Sequence, residues 1–127
     1  MRSPARLIAI VPVRELDRAR QFYQEKLGLS PGPELEADSV LLSEDGPPGL
    51  QLLLRPDAPA SELTQASFEV DDVEAAVREL EGRGVHFEDY DLPGLRTVDH
   101  VVTADGMKAA WFTDSEGNVL CLHQLTG

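Results

Sequence analysis

Cys121 and His123 lie two residues apart in a predicted C-terminal strand, so their side chains are expected on one face of that strand. An imidazole beside a thiol lowers the thiol pKa and makes the sulfur a nucleophile, and together with Glu69 the pair could instead bind a metal. The predicted strand is short, however, and the sequence offers no evident oxyanion donor. We therefore favour a small buried cysteine and a half-exposed histidine.

The elements that must position these groups begin with an apolar, β-branched run from Arg6 to Val13, which predicts a buried strand. An apolar stripe at helical spacing then extends from Leu16 to Leu27, and Gly28 is suited to end that helix. Three strand candidates follow, of which the last two are joined by a turn at 45–48. They are Glu34–Glu36, Ser39–Ser43 and Gly49–Arg55.

After a polar linker at 57–63 the same order of elements begins again. A strand is predicted over Gln65–Val70, and a helical stripe from Val73 to Leu80 ends at Gly82-Arg83-Gly84. Three more strands and a turn at 114–118 complete the second copy. These strands are Val85–Tyr90, Lys108–Thr113 and Val119–Gln124.

The two copies can be aligned by subtraction. A shift of 57 places Val13 on Val70, whereas a shift of 70 places Gln51 on Cys121, so the second copy holds 13 extra residues around 91–103. Each copy is β-α-β-β-β, and a small sheet with one helix has a face left to bury. We expect one α+β domain of two modules, 1–56 and 64–127, whose curved mixed sheet forms a cleft.

The charge of the chain excludes some partners. It carries 23 acidic and 11 basic residues, a net charge of −12, and residues 64–127 hold 13 of the acids. Such a surface repels nucleic acids and anionic lipid headgroups, and its simplest role is solubility. A single cysteine indicates a reducing, cytoplasmic setting. The N-terminal apolar run is too short for a membrane span and resembles a strand more than a signal peptide.

Two segments carry a resemblance to a known family. The segment from Val13 to Gly28 resembles the opening of the vicinal oxygen chelate superfamily, which includes glyoxalase I, extradiol dioxygenases, methylmalonyl-CoA epimerase and bleomycin-resistance proteins. The segment Asp114–Asn118, after Ala110-Trp111-Phe112, resembles the family's closing turn. The resemblance covers nearly the whole chain and implies the two-module fold and, by analogy, a homodimer. It leaves the function open, because the superfamily contains several chemistries and some pure binders.

The resemblance also implies where a metal would be bound. Metal-dependent members place ligands, typically His, Glu, His and Glu, on the first and last strand of each module. The matching positions here are Ile8, Gln51, Gln65 and Cys121. An alkyl chain, two neutral amides and one thiol are a poor donor set for a divalent ion. We therefore expect no cofactor and disfavour a divalent metal.

Strand alternation extends this face of the sheet. Leu7, Val11, Val13, Ala66, Phe68, Val70, Leu120 and Leu122 are expected to face the helices, and this set is uniformly apolar. The opposite face combines apolar side chains with a few polar groups, as small-molecule pockets do. These polar groups could alternatively satisfy one another at a wet edge. The expected ligand-binding residues are Ile8, Gln51, Gln65, Ser67, Glu69, Trp111, Cys121 and His123.

Aromatic and histidine residues outside this set have less specific patterns. Phe112 is expected in the core, and its neighbour Trp111 either stacks on a planar ligand or fills the core. His86 and His100 lack ligand spacing, and we expect both to face solvent. The extra segment around 91–103 is expected to be a loop that could line the pocket.

The function that these patterns favour is metal-independent binding of a small molecule, neutral or cationic because of Glu69. The alternative is a lyase, isomerase or dioxygenase-type enzyme of the same superfamily that uses a divalent metal or the Cys121/His123 pair. A cleft that has closed and serves only a structural role is a third possibility. The sequence assigns no catalytic residue.

Overall fold

The computed structural model describes residues 7–36, 39–43, 46, 48–59, 61–104 and 106–126, with the side chains of 33–36 outside that description. The chain divides into two compact units, Met1–Ala60 and Ser61–Gly127. No helix in the described ranges is long and apolar enough to cross a membrane.

The described part of the first unit contains β1 (Ala9–Val13), α1 (Leu16–Gln21), β2 (Ser30–Glu36), β3 (Ser39–Ser43) and β4 (Leu50–Leu54). The strands form a mixed sheet in the order β1-β4-β3-β2. Strand β1 runs parallel to β4, and the other neighbours are antiparallel. Val11, Val13 and Leu52 are buried on the side of the sheet that helix α1 covers.

The helix predicted from Leu16 to Leu27 has two parts. After α1, residues Phe22–Lys26 form a π-helical turn, and the Leu27 N–H bonds the Phe22 carbonyl five residues earlier. Gly28 follows with φ of +75°, a conformation that favours glycine, so its predicted role at the helix end is confirmed. Of the turn predicted at 45–48, Asp45 and Pro47 lie outside the described residues.

The main elements of the second unit are β5 (Thr64–Glu69), α2 (Val73–Gly82), β6 (Phe87–Glu88), β10 (Met107–Thr113) and β11 (Val119–Leu125). They repeat the arrangement of the first unit in the order β5-β11-β10-β6, with β5 parallel to β11. The internal β-α-β-β-β repeat and the α+β class are therefore confirmed. Asp72 caps α2 by accepting the Ala75 N–H at 3.0 Å, and the Gln124 side chain of β11 accepts the Val73 N–H at 2.9 Å.

The segment between β6 and β10 differs from expectation. The strand predicted over Val85–Tyr90 is only two residues long, and the extra segment contains strands where a plain loop was expected. Thr97 ties the start of this segment together, because its N–H donates to the Tyr90 carbonyl at 2.9 Å. Its elements are the hairpin of β7 (Asp91–Leu92) and β8 (Leu95–Arg96), the bridge between Val98 and Val101, and β9 (Val102–Ala104), which pairs with β10.

The predicted division of the strands into two faces is visible in the burial. Leu120, Leu122 and Phe112 are buried on the side that α2 covers, which confirms Phe112 as a core residue. Leu7 is a wrong assignment, because it precedes β1 and is 92% exposed. An unpaired residue before a strand has no sheet to hold its side chain against the helix.

A buried turn joins β10 to β11. The Asp114 carboxylate accepts the backbone N–H groups of Glu116 and Asn118 at 2.8 and 2.9 Å, and it also accepts the Asn118 side-chain amide at 2.9 Å. Asp114, Glu116 and Asn118 are all buried. The turn therefore brings the two strands together with Phe112 opposite Leu120 and Trp111 opposite Cys121.

Two leucines on β11 test this packing. We expect Leu122→Ala to lower the free energy of unfolding by about 2–5 kcal/mol, because it removes a buried side chain from the sheet–helix interface. Leu125→Ala is the matched control on the same strand, and its 64% exposure predicts a change within about 0.5 kcal/mol. Urea denaturation measures both, and equal losses in the two variants would contradict the assigned faces.

Candidate functional site

Five of the eight predicted ligand-binding residues lie on one face of the second sheet. Across β5, β11 and β10, Ser67 is opposite Cys121, which is opposite Trp111, and Glu69 is opposite His123. Residues paired in this way project from the same side of a sheet. We call this side the polar face, and it consists of Ser67, Glu69, Trp111, Cys121 and His123.

The centre of the polar face is a pair of hydrogen-bonding side chains. Ser67 Oγ lies 2.6 Å from His123 Nδ1, and Glu69 Oε1 lies 3.7 Å from His123 Nε2. The first distance is a hydrogen bond, whereas the second is an ion-pair distance that needs a protonated imidazole. Ser67 and Glu69 are exposed and His123 is half-buried, so a ligand on this face can reach hydroxyl, carboxylate and imidazole groups.

Cys121 is buried beneath these groups and its Sγ donates to the Leu122 carbonyl at 3.2 Å. Burial raises the pKa of the Cys121 thiol, and a hydrogen bond with Ser67 offsets this only in part. A buried thiol with a raised pKa is a poor nucleophile at neutral pH. The geometry therefore fits the small buried cysteine and half-exposed histidine that we favoured over a reactive Cys121/His123 pair.

Trp111 contributes an aromatic surface to the same face. Its ring meets the Tyr90 ring edge to face, with centroids 5.6 Å apart and planes at 89°. Glu88 of β6 is the cross-strand partner of Trp111 and therefore shares its side of the sheet. Burial is the largest cause that raises the pKa of Tyr90, and the charges of Glu88, Cys121 and Glu62 add to it. The phenol is therefore neutral throughout the physiological pH range.

Gln65 lies at an irregular point of the sheet. The pairing of β5 with β11 shifts register between Val119 and Leu120, and the Gln65 amide donates to the Leu63 carbonyl at 3.0 Å. This bond fits the alternative interpretation for Gln65, in which the polar groups bond to one another and to the backbone. The exposed Ser67 hydroxyl and Glu69 carboxylate keep capacity to bind a ligand.

The other two predicted residues, Ile8 and Gln51, belong to the first unit. Ile8 lies just before β1 and is half-buried. Gln51 lies in β4, and its Nε2 donates to Ser39 Oγ at 2.6 Å. An amide already bonded to a buried serine is committed to the sheet.

The family's four metal positions do not fit a divalent ion in this chain. Ile8 has no donor atom, the amides of Gln51 and Gln65 are weak donors already bonded within the protein, and Cys121 holds its proton more tightly than a free thiol. Within the described residues, no group of three or more His, Cys, Asp or Glu side chains is arranged to hold a metal.

His100 is the functional candidate that the sequence missed. We expected both His86 and His100 to face solvent, and His86 does, with 74% of its side chain exposed. His100 is only 27% exposed, because its Nδ1 lies 2.8 Å from Asp89 and its Nε2 lies 3.0 Å from Glu81. The expectation for His100 was wrong because its partners are 11 and 19 residues away. Only the fold brings these groups together.

A family model described as Glyoxalase/Bleomycin resistance protein/Dioxygenase superfamily matches residues 6–122. No curated protein matches the chain. Three solved structures are similar to it. TnmS3, an antibiotic-binding protein from Streptomyces sp. CB03234, is 24% identical with a TM-score of 0.74, and the match covers 99% of both chains.

The second is a bleomycin resistance determinant encoded on the transposon Tn5, which is 21% identical with a TM-score of 0.74 over 97% of this chain and 99% of the other. The third is the fosfomycin resistance protein FosX from Listeria monocytogenes, which is 16% identical with a TM-score of 0.69 over 99% and 96%. At these identities the likeness of the three structures shows the fold alone.

The donor set leads to a test of metal content. We expect protein purified without chelators to hold far less than one divalent ion per chain, because none of the four positions offers an anionic oxygen or an imidazole. Elemental mass spectrometry measures this content. A stoichiometric ion that disappears in Gln65→Ala or Cys121→Ala would contradict the interpretation.

The thiol leads to a second test. We expect Cys121 to react with a disulfide reagent at pH 7 at least about tenfold more slowly in the folded protein than in urea, because burial restricts access and disfavours the thiolate. Absorbance of the released thiolate measures the rate. Ser67→Ala should slow the folded rate further, since it removes the hydrogen bond that favours the thiolate. Equal rates in the folded and unfolded protein would show a reactive, exposed cysteine.

Proposed function

The chain belongs to the Glyoxalase/Bleomycin resistance protein/Dioxygenase superfamily, and we propose that it binds a small organic molecule, neutral or cationic, without a metal. The polar face of the second sheet is the proposed surface. Ile8 and Gln51 are the residues of the first unit that align by the internal repeat with Gln65 and Cys121.

The observation that carries this proposal is the combination of groups on one side of β5, β11 and β10. An aromatic surface from Trp111 lies beside a hydroxyl, an imidazole and a carboxylate, whereas the other side of β10 and β11 packs against α2. Binding sites for small molecules combine apolar and aromatic area with a few polar groups in this way. The polar groups would fix the orientation of a ligand that the indole ring holds.

The charges on and beside the polar face favour neutral or cationic ligands. Glu69 lies on the face, Glu88 is paired with Trp111, and Glu62 is close enough to act on the pKa of Tyr90. An aromatic ring attracts a cation placed over it, and nearby carboxylates strengthen that attraction. An anionic ligand would face three carboxylates instead, in a chain with a net charge of −12.

The similar proteins support binding of a small molecule as the broad function. One of them is an antibiotic-binding protein and another is a bleomycin resistance determinant, and both share this fold. We extend to this chain only the capacity to bind a small molecule. A homodimer, by analogy with the family, and a cytoplasmic location, from the single cysteine, are part of the same proposal.

An enzymatic function has less support from the residues of this chain. A reaction through Cys121 would need a thiolate, which burial disfavours, and a reaction through a metal would need donors that Ile8 and the two glutamines do not supply. The contact that forms on the polar face joins His123 to Ser67. Binding therefore explains the arrangement with fewer added groups than catalysis does.

Three probes with the same ring test the charge preference. We expect benzyltrimethylammonium or benzyl alcohol to stabilise the protein and to change the fluorescence of Trp111, the only tryptophan, and benzenesulfonate to do neither. At a concentration 100-fold above the dissociation constant, a ligand adds about 2.7 kcal/mol of stability, which thermal denaturation detects. Stabilisation by benzenesulfonate alone would contradict the proposal.

Matched variants locate the binding. Glu69→Gln and Asp57→Asn each remove one negative charge, but only Glu69 lies on the polar face, whereas Asp57 is an exposed residue of the first unit. We expect Glu69→Gln to weaken binding of the cation and Asp57→Asn to leave it unchanged. Equal weakening in both variants would indicate a general charge effect in place of a site.

A further inference from the structure

His100 joins the segment after β6 to helix α2. Its Nδ1 lies 2.8 Å from Asp89, which follows β6, and its Nε2 lies 3.0 Å from Glu81, in the last turn of α2. The imidazole also stacks on Phe87, with ring centroids 5.9 Å apart and planes at 27°, and Phe87 in turn contacts the core residue Phe112. One side chain of the extra segment thus contacts the helix, the sheet and the residue that follows β6.

We propose that His100 is a pH-dependent latch that holds the segment 89–101 against α2 and so keeps Tyr90 in contact with Trp111. The latch regulates the polar face, and its relevance to a ligand therefore rests on the proposed function. Its effect on Tyr90 and Trp111 is a property of the free protein and can be measured without any ligand.

The pH dependence comes from the number of protons on the imidazole. A protonated His100 donates one N–H to Asp89 and the other to Glu81, so both carboxylates are satisfied. A neutral His100 keeps a single N–H, and its other nitrogen then presents a lone pair to a carboxylate. Loss of the proton therefore releases either the helix or the segment.

The direction follows from the surroundings of the ring. The hydrogen bond with Asp89 is the largest cause that raises the pKa of His100 above its ordinary 6.5, and Glu81 adds to it, whereas burial acts in the opposite direction. A raised pKa in the folded state means that the stabilisation is fully present below pH 6.5 and is lost as the pH rises through the raised value. The latch is closed on the acidic side.

The contacts that carry the effect to the polar face pass through Thr97. Its hydroxyl lies 3.2 Å from the same Asp89 oxygen that His100 binds, and it accepts the Tyr90 N–H at 3.0 Å. The Thr97 N–H also donates to the Tyr90 carbonyl. The backbone of Tyr90 is thus held on both its N–H and its C=O by a residue that shares Asp89 with the latch, and the Tyr90 ring rests against Trp111.

The charged groups around His100 are mostly acidic. A cavity of about 430 Å³ beside the ring is lined by Val77, Asp99 and His100 together with Glu74, Arg78 and Glu81 of α2. Lys108 of β10 pairs with Glu74 at 2.6 Å, which leaves Arg78 as the lining cation. Carboxylates ordinarily titrate near pH 4, and arginine and lysine above pH 10, so the histidine is the group of this cluster that changes charge between pH 6 and 9.

The backbone beneath the latch is a two-residue turn. Asp99 and His100 have φ of +50° and +71° and connect Val98 to Val101, which exchange two backbone hydrogen bonds at 2.9 and 3.0 Å. The backbone therefore holds the turn by itself, and the contacts of the imidazole remain to join the segment to α2.

The first measurement is the titration of the three histidines by NMR. We expect His100 to titrate above 6.5 and to move toward 6.5 in Glu81→Gln, because that variant removes a carboxylate. His86, which is 74% exposed, is the internal reference. A His100 that titrates at or below 6.5, or that ignores the loss of Glu81, would overturn the proposal.

The second measurement is the fluorescence of Trp111 between pH 5.5 and 9. We expect a transition that follows the titration of His100, is lost in His100→Gln, and persists in the control His86→Gln. His123→Gln separates the latch from the imidazole on the polar face, and the transition should persist there too. Retention of the transition in His100→Gln, or its loss in His123→Gln, would overturn the proposal.

Glutamine at position 100 keeps an uncharged amide that can donate and accept hydrogen bonds, which favours a folded variant, and circular dichroism checks that it folds. Glu81→Gln provides an independent variant that leaves the imidazole in place, and it should move the fluorescence transition to lower pH. If these tests fail, the latch is overturned, and the binding test with benzyltrimethylammonium still decides the proposed function. If these tests succeed but no probe binds, only the proposed function is overturned.

Discussion

The Asp114 carboxylate fixes the register of β10 against β11, and the two faces of the second sheet depend on that register. It accepts three hydrogen bonds within a buried turn, so the two strands leave the turn in one alignment. Side chains alternate along a strand, and a slip of one residue would exchange the core side of Phe112 with the polar side of Trp111. The turn thereby determines which residues pack on α2 and which form the polar face.

Much of the fold could be predicted from the sequence because alternation and repetition are local signals. The apolar set around Leu120 and Leu122 indicated the helix side, and the shifts of 57 and 70 located the second module. Leu7 was assigned wrongly because a pattern does not show where pairing starts, and the strand begins at Ala9. Gln65 lies in a strand, as predicted, but the residue types did not indicate the register shift beside it.

His100 shows where prediction from sequence ends. A histidine without nearby ligand spacing looks like a surface residue, and its partners Asp89 and Glu81 become neighbours only when the segment after β6 folds back on α2. The positive φ values of Asp99 and His100 are another consequence of that path. Acidic residues that first suggested only solubility thus include two that hold a titratable ring, because a field of carboxylates stabilises the protonated imidazole.

The donor chemistry of the family's four metal positions is the reason why we propose a site without a metal. A metal ion organises a site by concentrating positive charge, and the residues that would hold it are alkyl or already bonded within the sheet, as in Ile8 and Gln51. On the polar face, order comes instead from the short contact of Ser67 with His123 and from the edge of Tyr90 against Trp111. Under the proposed function, the carboxylates beside this face would favour a ligand that is neutral or positively charged.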